Sequence, residues 1–266
     1  MFSLVPRRLV LYSWTTPRGV GYAGDAVRTD IRRLTVVIPA YNEEATIAET
    51  IKGVRAADVG GLELEIVVVD DGSTDRTREI LCGIPGVRAI SHERNRGKGG
   101  AVKTGFAAAT GDVVLIQDAD LEYDPRDYKT VLQPIVDGRV EAVMGSRFAY
   151  ERPRFFFGEA KSPLFTHYIG NLVIIWLTNL LYRNQATDYE GCYKAFTKRL
   201  VDSIPIEADG FEYDNELVCK LLRGGHRIEE VPISYRPRTY EAGKKIRWNH
   251  GLRMVWTILK WRFRRF

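Results

Sequence analysis

Three short apolar runs, each ending in a cluster of oxygen-bearing side chains, limit this chain to one class of fold. Leu34-Thr35-Val36-Val37-Ile38 runs into Pro39-Ala40-Tyr41-Asn42-Glu43-Glu44, and Ile66-Val67-Val68-Val69 runs into Asp70-Asp71-Gly72-Ser73-Thr74-Asp75. The third, Val113-Val114-Leu115-Ile116, ends in Gln117-Asp118-Ala119-Asp120. Short runs of aliphatic and β-branched residues with little polar alternation suit strands covered on both faces. Helical segments lie between them, which predicts an α/β chain built on a mostly parallel sheet with crossover helices. Ligands of such sheets bind beyond the carboxyl ends of the strands. The three polar ends therefore predict one crevice along one edge of the sheet.

The pattern places helices at 43–57, at 74–81 behind a capping cluster at 71–74, at 99–109, and from near Pro125. Further strands are expected at 87–91 and 140–144, the latter running into Gly145-Ser146-Arg147-Phe148. Gly97-Lys98-Gly99-Gly100 is not a Walker loop, because Lys98 is followed by glycine rather than Ser or Thr. Its glycines suit close helix–sheet packing, with Lys98 near an anion.

Charge is unevenly spread. Residues 1–33 hold six Arg and two Asp, and residues 244–266 hold eight Lys or Arg and no acid, so the formal net charge of +5 conceals a body, 34–243, of net −7. An acidic body with a basic tail argues against a nucleic-acid partner and for an anionic membrane surface. The three cysteines, Cys82, Cys192 and Cys219, have no metal-ligand spacing and read as reduced thiols. Three regions are expected: a basic, poorly ordered extension at 1–33, a catalytic-type α/β domain at 34–245, and a basic amphipathic helix at 246–266.

Residues 164–182 contain no Lys, Arg, Asp or Glu. Their length would allow a membrane span, but His167, Gly170, Asn171 and Asn179 favour a buried or interfacial helix. In the tail, Leu252, Val255, Trp256, Leu259 and Phe263 share one helical face flanked by Arg253, Lys260, Arg262, Arg264 and Arg265. That face either packs on the domain or lies in the headgroup region of an anionic membrane. Together the two segments predict a cytoplasmic protein held peripherally on the cytosolic face of a membrane.

Side chains alternate along a strand, so Asp118 and Asp120 leave it on one face, and paired oxygen ligands suit Mg²⁺ or Mn²⁺. With this chemistry in place the motifs acquire a family. The segments 36–43, 68–75 and 118–120, supported by Asn95-Arg96-Gly97-Lys98-Gly99, Gly145-Ser146-Arg147-Phe148, and Arg238 followed by Lys244, resemble a family-2 glycosyltransferase of GT-A (Rossmann-like) fold. Within it the resemblance is to polyprenyl-phosphate (dolichol-phosphate) mannose or glucose synthases, and it covers about residues 34–250.

That resemblance implies a metal-dependent inverting transfer of a hexose from a nucleotide-diphosphate sugar to a polyprenyl phosphate. The donor site it implies comprises Pro39, Tyr41, Asn42, Glu43, Asp70, Asp71, Lys98, Asp118, Ala119, Asp120, Arg147, Arg238 and Lys244. The metal would sit on Asp118 and Asp120, with Glu122 as a further ligand. Asp120, Asp188, Arg238 and Lys244 are the implied catalytic residues, Asp188 serving either as an acceptor-side carboxylate or as a structural tie. Asn42 suits a helix cap as well as a donor contact. The remaining alternatives are a soluble glycan or other lipid as acceptor, a nucleotidyltransferase, and an inactive nucleotide-sugar-binding protein.

Overall fold

The computed structural model describes residues 30–148, 164–236 and 248–266. Arg238, Lys244 and most of the basic extension lie outside the described residues. Strands β1 (Arg33–Ala40), β2 (Glu63–Asp70), β3 (Arg88–Ser91), β4 (Val113–Ile116), β5 (Ala142–Ser146), β6 (Lys194–Thr197) and β7 (Ile228–Pro232) form one sheet in the order β3-β2-β1-β4-β6-β5-β7. β1, β2, β3 and β4 are mutually parallel, as the alternating pattern predicts. Pro39 and Ala40 pair with Val69 and Asp70, and Val37 pairs with Ile116, so the three polar strand ends emerge side by side. The strand order reverses between β1 and β4, which opens a crevice at that point.

β6 departs from the parallel pattern by running antiparallel to both β4 and β5. Its direction follows from its approach. The segment before it, 187–193, lies at the crevice edge, so the chain can only enter β6 running away from that edge.

Helices cover the sheet. They are α1 (Ile47–Arg55), α2 (Thr77–Cys82), α3 (Lys98–Ala108), α4 (Tyr128–Val136), α5 (Leu164–Tyr182), α6 (Lys198–Ser203), α7 (Tyr213–Arg223) and α8 (Trp248–Phe263). α1 begins four residues later than the pattern suggests, behind Thr46 at φ −124°, and Asn42 in the loop ahead of it sits in the left-handed region at φ 52°. Pro125 opens a single 3₁₀ turn ahead of α4, and Asp124 Oδ1 accepts the Arg126 N–H at 3.0 Å. In α3 the glycines permit close approach: a methyl at Gly99 would lie 2.6 Å from the Ala208 carbonyl oxygen, and one at Gly105 would collide with Val37 of β1. The central residues Val36, Val37, Ile38 and Val113 to Ile116 are fully buried.

A second, smaller core joins α5, α7 and α8 around Ile174, Val218, Met254, Ile258 and Trp261. α8 thus packs through Met254, Ile258 and Trp261 and turns Leu252, Trp256, Leu259 and Phe263 outward. α5 leaves Leu172, Val173, Trp176 and Leu180 exposed. No helix among the described residues is long and apolar enough to cross a membrane. Beneath α8, Lys220 and Glu216 form a buried ion pair at 2.6 Å, with the Lys220 ammonium 3.7 Å from the centre of the Trp261 ring. Glu216 also accepts the N–H groups of Glu207 and Ala208, each at 2.8 Å, which pins the 205–209 loop against α7.

Candidate functional site

A crevice of about 420 Å³ opens over the carboxyl ends of β1, β2 and β4. Pro39, Tyr41 and Glu43 line it from the first loop, Lys98 from the start of α3, and Asp118 to Asp120 from the end of β4. The first two loops are knitted together rather than left open to a ligand. The Asn42 N–H donates to Ser73 Oγ at 2.9 Å, and Asn42 Oδ1 accepts the Thr74 N–H at 2.8 Å. Asn42 caps no helix and does not line the crevice; its place is the loop junction. Asp70 is likewise withdrawn, 1% exposed, with Oδ1 accepting the Ser73 N–H at 3.0 Å.

Asp71 touches the crevice floor but spends both oxygens internally. Oδ1 lies 2.7 Å from His92 Nδ1 and accepts the Arg96 N–H at 2.9 Å, while Oδ2 accepts the Gly97 N–H at 2.8 Å. Asn42, Asp70 and Asp71 thus brace the loops of the expected donor site. These side chains shape the loops whose other residues face the crevice, and Asp71 sets the glycine turn that aims Lys98.

Beyond β4, Asp118 pairs with Lys98 at 2.6 Å, each side chain 19% exposed. Burial alone would raise the Asp118 carboxyl, but the Lys98 ammonium beside it holds it below the usual carboxylate range. Burial pulls Lys98 down and Asp118 more than offsets this, so the lysine stays charged. The strand end is fixed from below. Gln117 Oε1 accepts the hydroxyls of Tyr128 and Tyr193 at 2.8 and 2.9 Å, and the Asp118 N–H donates to Cys192 Sγ at 3.1 Å. Asp120 is half-buried, and its Oδ1 accepts the Glu122 N–H at 3.1 Å. Leu121 between them is held at φ 61°, an uncommon conformation for a residue with a side chain.

Glu122 lines the crevice and accepts the Tyr235 hydroxyl at 2.8 Å. Among the described residues no group of three or more acid, His or Cys side chains is arranged to hold a metal by itself, so the expected three-carboxylate set is not gathered. The donor set nonetheless fits Mg²⁺ or Mn²⁺, because such ions are commonly held by one or two carboxylates together with substrate phosphate oxygens. Asp120 and the ionised Asp118 would supply that pair.

Asp188 is built into the fold as a tie. It is fully buried, and Arg147 donates to it through Nε at 2.7 Å and Nη2 at 2.9 Å, a two-pronged clamp between β5 and the 187–192 loop. Arg147 is 14% exposed and lines the crevice, stacked 5.1 Å from the centre of the Tyr235 ring. Asp188 therefore positions Arg147. Arg147→Ala is expected to destabilise the fold by about 3 kcal/mol, since it strands a buried carboxylate. Adding Asp188→Asn should recover part of that loss, which chemical denaturation of the four variants would read as coupling above about 1 kcal/mol; additive losses would remove the clamp.

The opposite wall contains residues outside the expected site. Glu190, Asp214 and Phe211 line the crevice beside Tyr235, and α8 contributes His250 and Met254. His250 lies 5.1 Å from Phe211, ring centre to ring centre. The apolar period of the tail pointed to the outer face of α8, whereas His250 and Met254 lie on its inner face. Only the packing of α8 against α7 brings them to the crevice.

Comparison with known proteins agrees with this geometry. Residues 35–204 match the glycosyl transferase family 2 profile. The chain is 29% identical over 245 residues to a UDP-N-acetylglucosamine–dolichyl-phosphate N-acetylglucosaminyltransferase of Methanococcus voltae, spanning 84% of this chain and 94% of that one. It is 28% identical over 240 residues to a dolichol-phosphate mannosyltransferase of Pyrococcus furiosus, spanning 86% of this chain and 64% of that one. Among solved structures, glucosyl-3-phosphoglycerate synthase from Mycobacterium tuberculosis, in complex with Mn²⁺, UDP and phosphoglyceric acid, matches with a TM-score of 0.67 at 25% identity. That match covers 87% of this chain and 79% of the synthase.

Proposed function

The chain belongs to glycosyl transferase family 2, and within it we propose a metal-dependent, inverting hexosyltransferase acting on a polyprenyl or dolichyl phosphate. The donor in this reading is a nucleotide-diphosphate sugar, GDP-mannose or UDP-glucose. The mostly parallel sheet with its flanking helices is the GT-A fold. One observation carries the choice of acceptor: the helix that lines the crevice with His250 and Met254 packs on α5, and the two leave Leu252, Trp256 and Phe263 of α8 and Trp176 and Leu180 of α5 exposed. A crevice walled by a helix of this kind suits an acceptor whose reactive phosphate is tethered to a membrane.

In this reading the first loop, Pro39 to Glu43, receives the nucleoside. Lys98 and Arg147 supply fixed positive charge toward the diphosphate, Lys98 as a point charge and Arg147 as a planar fork. Asp120, with Asp118 beside it, would hold Mg²⁺ or Mn²⁺; when bound, the ion neutralises charge on the departing diphosphate. Arg238 and Lys244, outside the described residues, would add fixed positive charge toward that diphosphate. A phosphate acceptor is already an anion, so the attacking oxygen needs no base. The test is a transfer assay with labelled nucleotide sugars and short polyprenyl phosphates in detergent. A chloroform-soluble product is expected; donor hydrolysis with water-soluble product alone would transfer the reading to a soluble acceptor, as the name of the M. tuberculosis synthase suggests.

The reading also places the chain peripherally on an anionic, cytosolic membrane face. Exposed aromatic residues on α5 and α8 and the basic residues Arg253, Arg262 and Arg265 match an anionic headgroup layer. Truncation is the wrong test, because Ile258 and Trp261 are fully buried. Trp256→Glu, at a position 66% exposed, should leave folding intact and sharply reduce flotation with anionic liposomes. Unchanged flotation would take α8 out of the membrane contact.

A further inference from the structure

The acidic side chains around the crevice are distinguished by what neutralises them. Asp118 has Lys98 at 2.6 Å, Asp188 has Arg147 at 2.7 Å, and Asp214 has Lys194 at 3.2 Å. Glu190 lines the same crevice, half-buried, and among the described residues no cation lies within ion-pair distance of it. Its side-chain partner is a neutral amide, Asn215 of α7, whose Nδ2 donates to Oε1 at 2.8 Å. Its backbone N–H donates to Asp188 Oδ1 at 3.0 Å, so the Arg147–Asp188 clamp also fixes where Glu190 stands. Oε1 is occupied and Oε2 is left for a ligand.

An ionised Glu190 would repel any phosphate entering this wall, whereas a neutral carboxylic acid there is a hydrogen-bond donor. We propose that Glu190 is an acceptor-binding residue and that it works as the neutral acid, donating its Oε2–H to a phosphate oxygen of the acceptor. This rests on the phosphate-acceptor reading above. Burial pushes the Glu190 carboxyl up, the Asp214 and Asp188 carboxylates push the same way, and Lys194 and the Asn215 amide offset only part of it. The ionisable groups around it are Asp188 in its own loop, Lys194 on β6, Asp214 and Cys219 on α7, His250 of α8 on the same wall, and across the crevice Asp118 and Lys98. All of them are shared by wild type and a Glu190 variant, so the difference between two pH profiles isolates Glu190.

Glu190→Gln keeps the shape and a permanent donor but cannot ionise. Lipid transfer is measured in the full chain from about pH 5.5 to pH 9, with a short polyprenyl phosphate as acceptor, alongside nucleotide binding by titration with UDP and GDP. At the acid end Glu190→Gln is expected to transfer at close to the wild-type rate. As pH rises above the Glu190 pKa, the wild-type acceptor KM should climb by about tenfold per unit while that of the variant stays lower. The acceptor's own second ionisation, near pH 6, affects both proteins alike. Nucleotide binding should be equal in both, which also certifies the fold of the variant. Parallel profiles would overturn the proposal, and a variant inactive at every pH with intact nucleotide binding would overturn it in favour of Glu190 as a base for a hydroxyl acceptor. Wild-type donor hydrolysis without lipid product would instead remove the phosphate-acceptor reading, and this inference with it.

Discussion

Asp120→Ala is expected to lower transfer by at least about 10²- to 10³-fold while shifting the melting temperature by no more than about 4 °C. The first half follows from position. Asp120 stands at the crevice, half-buried, on the turn that follows β4, next to the ionised Asp118. Removing it takes away one of two carboxylates suited to an ion on the diphosphate, where charge develops as the sugar leaves. The second half follows from the surroundings. Asp120 lies outside the buried strand, and its Oδ1 holds the Glu122 N–H at 3.1 Å in a turn where Leu121 sits at φ 61°. Losing such a local bond costs about 1 kcal/mol. Asp118→Ala gives the contrast, since it would strand a largely buried Lys98 and lose stability as well as turnover. Labelled-sugar transfer and thermal melts of both variants separate the two effects. A wild-type rate for Asp120→Ala would sink the metal assignment.

Lys220→Ala should be the most destabilising single change outside the main core, by about 3–5 kcal/mol, or on the order of 10 °C in melting temperature. Lys220 is fully buried and its partner Glu216 is 1% exposed, so the substitution would leave a carboxylate in the interior without its cation. It also empties the space under Trp261. The damage should spread toward the crevice, because Glu216 holds the 205–209 loop and the Asp209 carbonyl accepts the Gly100 N–H of α3 at 3.1 Å. Replacing both partners, as Lys220→Met with Glu216→Gln, should recover much of the stability. Urea unfolding of the three variants checks this. A loss below about 1 kcal/mol for Lys220→Ala would mean that water or chain movement relieves the stranded charge.

Parts of the fold were legible because they depend on neighbours in sequence. An unbroken aliphatic run specifies a doubly covered strand, and the acidic cluster after it marks a carboxyl end; β1, β2 and β4 were readable on that basis. The stretch 164–182 coincides with α5, since a long run without Lys, Arg, Asp or Glu suits a helix packed along one side of the domain. Glycine spacing announced the close approach of α3, which a Cβ would obstruct.

The rest depends on contacts between residues distant in sequence. Asp188 and Arg147 are 41 residues apart, and nothing near either one announces that they share a buried clamp. Asn42 reads equally as a cap or a ligand contact until Ser73 and Thr74 are brought beside it. β6 offers four residues, too few for its alternation to give a direction, and the antiparallel course follows from where the preceding loop begins.

The sequence by itself determined the parallel half of the sheet, the edge at which the crevice opens and the acids available there, because apolar runs, turn residues and strand ends are local properties. Only the tertiary structure decided which acids line the crevice and which are paired inside the fold, and which side of α8 walls the crevice. Burial and ion pairing decide both, and they exist only after distant segments have packed.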